Sequence, residues 1–127
     1  MATALGGLRR RILGISPREV TFEARGFPPG DPAARRHLEA IARVFVSGYH
    51  IALEESDGAT LRARLDSTEP GVRGWAYEGA AMGLALRDHF SPWRRNRLLT
   101  FIEEQGSEHI YMLHVGAGWA LARLRLA

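Results

Sequence analysis

At 127 residues, with 46% hydrophobic and 24% charged side chains, the chain can build one modest core and no more than one domain. It has no cysteine, which excludes a disulfide framework, a thiolate metal site and a cysteine nucleophile. The net charge of +3 comes from 17 basic residues, all of them arginine, against 14 acids, so nucleic acid is not expected as a partner.

The N-terminus carries Arg9-Arg10-Arg11 followed by only Ile12-Leu13-Gly14-Ile15. That is too short an apolar run for a signal peptide. No window approaches the ~18 apolar residues of a membrane span, so a cytoplasmic protein is expected. Residues 5–15 suit a short amphipathic helix or turn with the arginine triplet in solvent. Ser16-Pro17 resembles a helix start, but Val20-Thr21-Phe22 is β-prone, so residues 17–25 read as one turn and then extended chain. Gly26-Phe27-Pro28-Pro29-Gly30 is a loop, because its prolines and glycines forbid regular structure.

Asp31-Pro32 is a clear helix start, and residues 33–55 follow with only Gly48 as an interruption. Leu38, Ile41, Phe45, Gly48/Tyr49 and Ala52 recur at helical steps and form one expected buried stripe. Arg43, Ser47, His50 and Glu54 fall on a neighbouring polar stripe. Residues 60–65 form a short helical piece, with Leu61 and Leu65 inward. A turn through Glu69-Pro70-Gly71 leads to a central helix over residues 72–88. Ser91-Pro92 repeats the cap-plus-proline start for a helix over residues 93–105, with Trp93, Leu98, Phe101 and Ile102 apolar. Its Trp93-Arg94-Arg95-Asn96-Arg97 cluster reads as a solvated face. Gly106 is an expected stop, and residues 108–124 form a last helix, apolar around nearly its whole circumference and therefore expected to be buried. No hairpin signal appears. The class is all-α, a compact bundle of four to five helices within a single domain over residues 1–127, residues 1–30 serving as lead-in.

The central stretch holds the most unusual feature. Gly74, Gly79 and Gly83 lie within one helix and cost roughly 1 kcal/mol each relative to alanine. Such a helix gains from having no side chains there, through close approach of another backbone or a ligand. Glycines beside aromatics recur at Gly48-Tyr49 and at Gly116-Ala117-Gly118-Trp119, which predicts three helices crowding around a common centre. Dry packing there is favoured over a cavity.

Glu78 sits among Trp75, Ala81, Met82 and Ala85 at helical spacing, and a carboxylate on an apolar face must be paired or protonated. A structural anchor bonded to an arginine, a tyrosine or a helix N-terminus is the plainer role; an acid or base of raised pKa is the sharper one. His114 reads as a buried histidine that could meet Glu78 across the helix interface. Glu78 and His114 are the candidate catalytic residues, and Tyr77, Glu78, His114 and His50 the candidate ligand-binding set. His50, His114 and Glu78 could hold a metal, but nothing fixes their mutual distances, so no metal site is expected. His37, His89 and His109 read as helix-end or surface residues, and no phosphate loop or hydrolase elbow is present.

Four segments together carry a family resemblance: Arg11-Ile12-Leu13-Gly14-Ile15-Ser16-Pro17 with Val20-Thr21-Phe22; Arg25-Gly26-Phe27-Pro28; residues 73–82; and His114-Val115-Gly116-Ala117-Gly118-Trp119-Ala120. In this order they resemble the N-terminal part of a bacterial family of unknown function found in enediyne polyketide gene clusters. The resemblance implies a biosynthetic or accessory protein acting on or near an apolar polyene or enediyne intermediate; it assigns no reaction and no cofactor. It also implies members that continue past the position of Ala127. The chain is then expected to be a short member or an N-terminal half, with an apolar surface covered by a second half or by a homodimer partner. A non-catalytic helical interaction or assembly module is the competing expectation. Binding through the arginine faces is a weaker third.

Overall fold

The computed structural model describes residues 3–126 apart from 29, 92, 94, 95 and 106. Seven α-helices are found among them: α1 Ala4–Leu13, α2 Phe22–Arg25, α3 Pro32–Glu54, α4 Gly58–Asp66, α5 Arg73–Phe90, α6 Arg97–Glu104 and α7 Ile110–Leu126. Turns of 3-10 helix cover Pro17–Val20 and Ser107–His109, and no strand occurs among the described residues. The all-α class holds, with more and shorter helices than the four to five expected. No described helix is long and apolar enough to cross a membrane.

Local chemistry explains most of the boundaries. Asp31 accepts the Ala34 N–H at 3.0 Å with Pro32 in the first turn, and Asp57 accepts the Thr60 N–H at 2.9 Å. The stretch expected to be extended is instead two short turns. The Ser16 hydroxyl accepts from Arg18 N and the Thr21 hydroxyl from Ala24 N, and Gly26 ends the second turn at φ +71°. With no strand to pair with, the β propensity of Val20-Thr21-Phe22 yields to these side-chain caps. α6 starts at Arg97, where the Asp88 carboxylate accepts the backbone N–H groups of Arg97 and Leu98 at 3.0 and 3.1 Å. Trp93 precedes the helix and is 80% exposed, not part of its apolar face. Pro92, Arg94, Arg95 and Gly106, expected to start, line and stop this element, lie outside the described residues.

α5 is the shared partner of the two other long helices. α3 and α7 each pack closely on it and make little direct backbone contact with each other. Both interfaces are glycine seams. A methyl group at Gly79 would overlap the Phe45 carbonyl, one at Gly48 the Ala76 carbonyl, and one at Gly116 the Glu78 carbonyl. These close backbone approaches account for glycines that lower intrinsic helix stability. Tyr49, Leu53, Met82, Leu86 and Ala120 form one buried cluster; Leu61, Leu65, Tyr77, Leu84, Phe101 and Leu113 belong to a second, on the side of α4 and α6.

Charge finishes the frame at the C-terminal end of α3. Its last carbonyls have no intrahelical donors, and arginines supply them. Arg87 Nη1 donates to the Ala52 and Glu55 carbonyls at 2.9 and 2.6 Å, and Arg9 Nε to the Leu53 carbonyl at 2.8 Å. Arg10 pairs with Glu54, and Arg64 with Glu55, each at 2.8 Å. Two of the three N-terminal arginines therefore fasten α1 onto α3, Arg10 while its side chain stays half exposed, and Glu54, expected on a polar stripe, is buried.

The last helix is not buried all round. Leu113, Gly116 and Ala120 face α5, while Ile110, Tyr111, Val115, Trp119 and Leu121 are exposed. An apolar circumference says that a helix can be buried on any side, not that partners exist on every side.

Candidate ligand-binding site

Three helical faces and the N-terminal segment border a cavity of about 480 Å³ that is open to solvent. α5 contributes Trp75, Glu78 and Met82, three and four residues apart and so on one face. α3 contributes Leu38, Ile41, Ala42, Phe45 and Val46 at the same period, and α7 contributes Trp119, Ala122 and Arg123. Ile15, Val20 and Arg25 close it from the N-terminal side. A second space of about 770 Å³ adjoins it, sharing Val20, Arg25, Leu38, Ala42 and Trp119 and reaching Phe27 and Pro28. Leu38 belongs to the buried stripe by spacing, yet it is 53% exposed because it borders this groove.

Glu78 is the one acid in that apolar lining and is 4% exposed. Its Oε1 accepts the Trp119 indole N–H at 2.7 Å, and its Oε2 is buried with no hydrogen-bond partner. The seam places this pair. Gly116 brings α7 against the Glu78 backbone, and Trp119, one turn later, then reaches the Glu78 side chain. Burial pushes the carboxyl above the usual carboxylate value, and the indole bond offsets this only in part. No arginine lies within ion-pair distance of Glu78 among the described residues. The structure thus gives neither the arginine nor the tyrosine anchor, but a tryptophan and a carboxyl biased toward its neutral, hydrogen-donating form.

The other expected residues go elsewhere. His114 is exposed, its Nδ1 2.8 Å from the Ile110 carbonyl one turn back, and it does not meet Glu78. Tyr77 points to the opposite side of α5. There its hydroxyl donates to Asp66 Oδ1 at 2.5 Å and its ring stacks on His109 at 3.8 Å, so His109 is not a plain surface residue. Burial and the Asp66 carboxylate push the phenol well above its usual value, so it stays protonated. His50 is half-buried beneath the N-terminal segment, where its Nε2 accepts the Ile15 N–H at 3.0 Å. Burial and the Arg10 charge hold this imidazole below its usual value, with Glu54 opposing, and the neutral form is the one that accepts the Ile15 N–H. Since Ile15 lines the cavity, His50 positions its roof without entering it. The Tyr49 hydroxyl, donating to the Leu13 carbonyl at 2.6 Å, does the same two residues earlier.

His50, His114 and Glu78 are not brought together, and no group of three or more His, Cys, Asp or Glu among the described residues could hold a metal ion. Trp119, Arg25 and Arg123 are the site residues that sequence reasoning missed. The one available signal was Trp119 lying a single turn after Gly116, the turn length that links a close approach to a reaching side chain. No curated protein matches the chain, and no solved structure does. The family model described as "Protein of unknown function (DUF1702)" matches residues 4–127, and the chain belongs to that family.

Proposed function

We propose that the protein binds a long apolar small molecule in the groove beside Glu78, as a biosynthetic or accessory protein of enediyne-type polyketide assembly. The observation that carries this reading is the Glu78 carboxyl, buried at an apolar wall with one oxygen held by Trp119 and the other without a protein partner. A carboxyl in such a place, when it holds its proton, offers one hydrogen bond to a carbonyl or hydroxyl on an otherwise apolar ligand. Cavities that are mostly apolar with a few placed polar groups are the usual form of small-molecule sites. The adjoining space gives room for an extended unsaturated chain.

Native mass spectrometry of the protein from a producing host tests the reading. A co-purifying apolar species is expected on the wild type and is lost in Glu78→Met, with the helical circular-dichroism spectrum unchanged. Equal occupancy of both proteins would remove Glu78 from the site, and an empty wild type would remove the ligand.

A second reading, a non-catalytic interaction or assembly module, is supported by the outer face of α7, where Tyr111 is 77% and Leu121 66% exposed. It predicts a concentration-dependent dimer by light scattering that Leu121→Glu dissolves.

A further inference from the structure

We propose that the ligand is an amphiphile, a long apolar chain ending in a carboxylate that Arg25 and Arg123 receive at the mouth of the Glu78 cavity. This rests on the reading above and adds the chemical class of the ligand. Both arginines line the same cavity, whose remaining wall is apolar apart from Glu78.

Arginines in this chain are held in two ways. Arg10, Arg35, Arg62, Arg64 and Arg97 each lie within ion-pair distance of a carboxylate, whereas Arg9, Arg73 and Arg87 donate to backbone carbonyls. Arg25 and Arg123 have no such carboxylate among the described residues. Each is anchored by one backbone carbonyl instead: Arg25 Nε donates to Glu19 O at 2.7 Å, and Arg123 Nη2 to Leu13 O at 3.4 Å. The Arg123 guanidinium also lies over the Tyr49 ring, 5.7 Å from its centre. A guanidinium has five N–H donors in a planar fork, so a single anchor fixes its direction and leaves donors for a carboxylate.

Polarity across the cavity is graded to match. Arg25 is exposed and Arg123 half-buried, whereas Glu78 is almost wholly buried and biased toward its neutral form. An anionic end therefore meets two cations at the opening, and the one acid of the site is buried away from it in the apolar wall. The apolar body follows Val20, Leu38, Ala42 and Trp119 into the adjoining space. A neutral hydrocarbon would leave both cations unmatched.

The test uses the full chain with cis-parinaric acid, a conjugated tetraene carboxylate that brightens in apolar surroundings, and with its methyl ester. Both are expected to bind, the acid roughly tenfold more tightly at low ionic strength, with that advantage shrinking as salt screens the pair. Arg25→Gln and Arg123→Gln are each expected to narrow the ratio of acid to ester affinity toward one. Acid and ester binding within twofold of each other on the wild type would overturn the inference while sparing the cavity. Should neither bind, the cavity reading fails and takes the inference with it. The wild-type comparison of acid with ester decides the matter even where a variant folds poorly.

Discussion

The α3–α5 seam and the Glu78 cavity share two helices, yet one is filled by backbone and the other is open. Where Gly48 and Gly79 stand, the carbonyls of Ala76 and Phe45 occupy the space that a side chain would take. On the next face of α5, Trp75, Glu78 and Met82 stand opposite Leu38, Ile41 and Phe45, and these larger side chains line an opening instead of closing it. The difference teaches that small residues here do not make the cavity. They fix the distance between the helices, and the bulky residues beside them become the walls.

Gly79→Ala attacks the filled region directly. Its methyl group would meet backbone, which cannot turn aside as a side chain does, so a loss of about 3 kcal/mol or more is expected in urea unfolding. A loss below about 1 kcal/mol, the scale of ordinary surface changes, would mean that the seam yields. Glu78→Met attacks the open region and should behave oppositely. Removing a buried acid with an unpartnered oxygen is expected to raise stability by about 1 kcal/mol, and to abolish binding of an apolar ligand. Destabilisation instead would return Glu78 to the role of structural anchor.

The pH dependence sharpens the same contrast. The Glu78 carboxyl binds its proton more tightly folded than unfolded. Its contribution therefore falls as pH rises from the usual carboxylate value toward its raised one, and is constant below that window. Subtracting the melting-temperature profile of Glu78→Gln from that of the wild type should isolate a downward slope there; a flat difference would place the carboxyl in water. The smallest effect belongs to Gly118, where a methyl group would meet nothing within 4 Å. Gly118→Ala is expected to gain up to about 1 kcal/mol from helix propensity alone, and a loss would reveal an unseen neighbour on the outer face of α7.

How much of this was legible depended on whether a signal carried direction. Asp31-Pro32 gave the start of α3, and the cost of glycine inside a helix gave the close approaches of α5. The acid set among apolar residues gave Glu78. The surroundings of His114 were not legible, because a helix apolar on every side has no phase in its pattern. Only Gly116, by docking against Glu78, decides which residues of α7 turn inward, and it turns His114 out and Trp119 toward the acid. The partners of Arg87 and Arg9 were equally hidden. They are backbone carbonyls at the end of α3, far away in sequence, and a carbonyl has no letter to read.

The roof of the cavity hangs from an uncharged ring. Ile15 is latched to His50 by a nitrogen lone pair, which acid removes once pH falls below the ordinary imidazole range. The seam beneath holds by shape and has no proton to gain. Mild acidification would thus break this one bond, while the Tyr49 hydroxyl still holds the Leu13 carbonyl and the glycine seam keeps its shape.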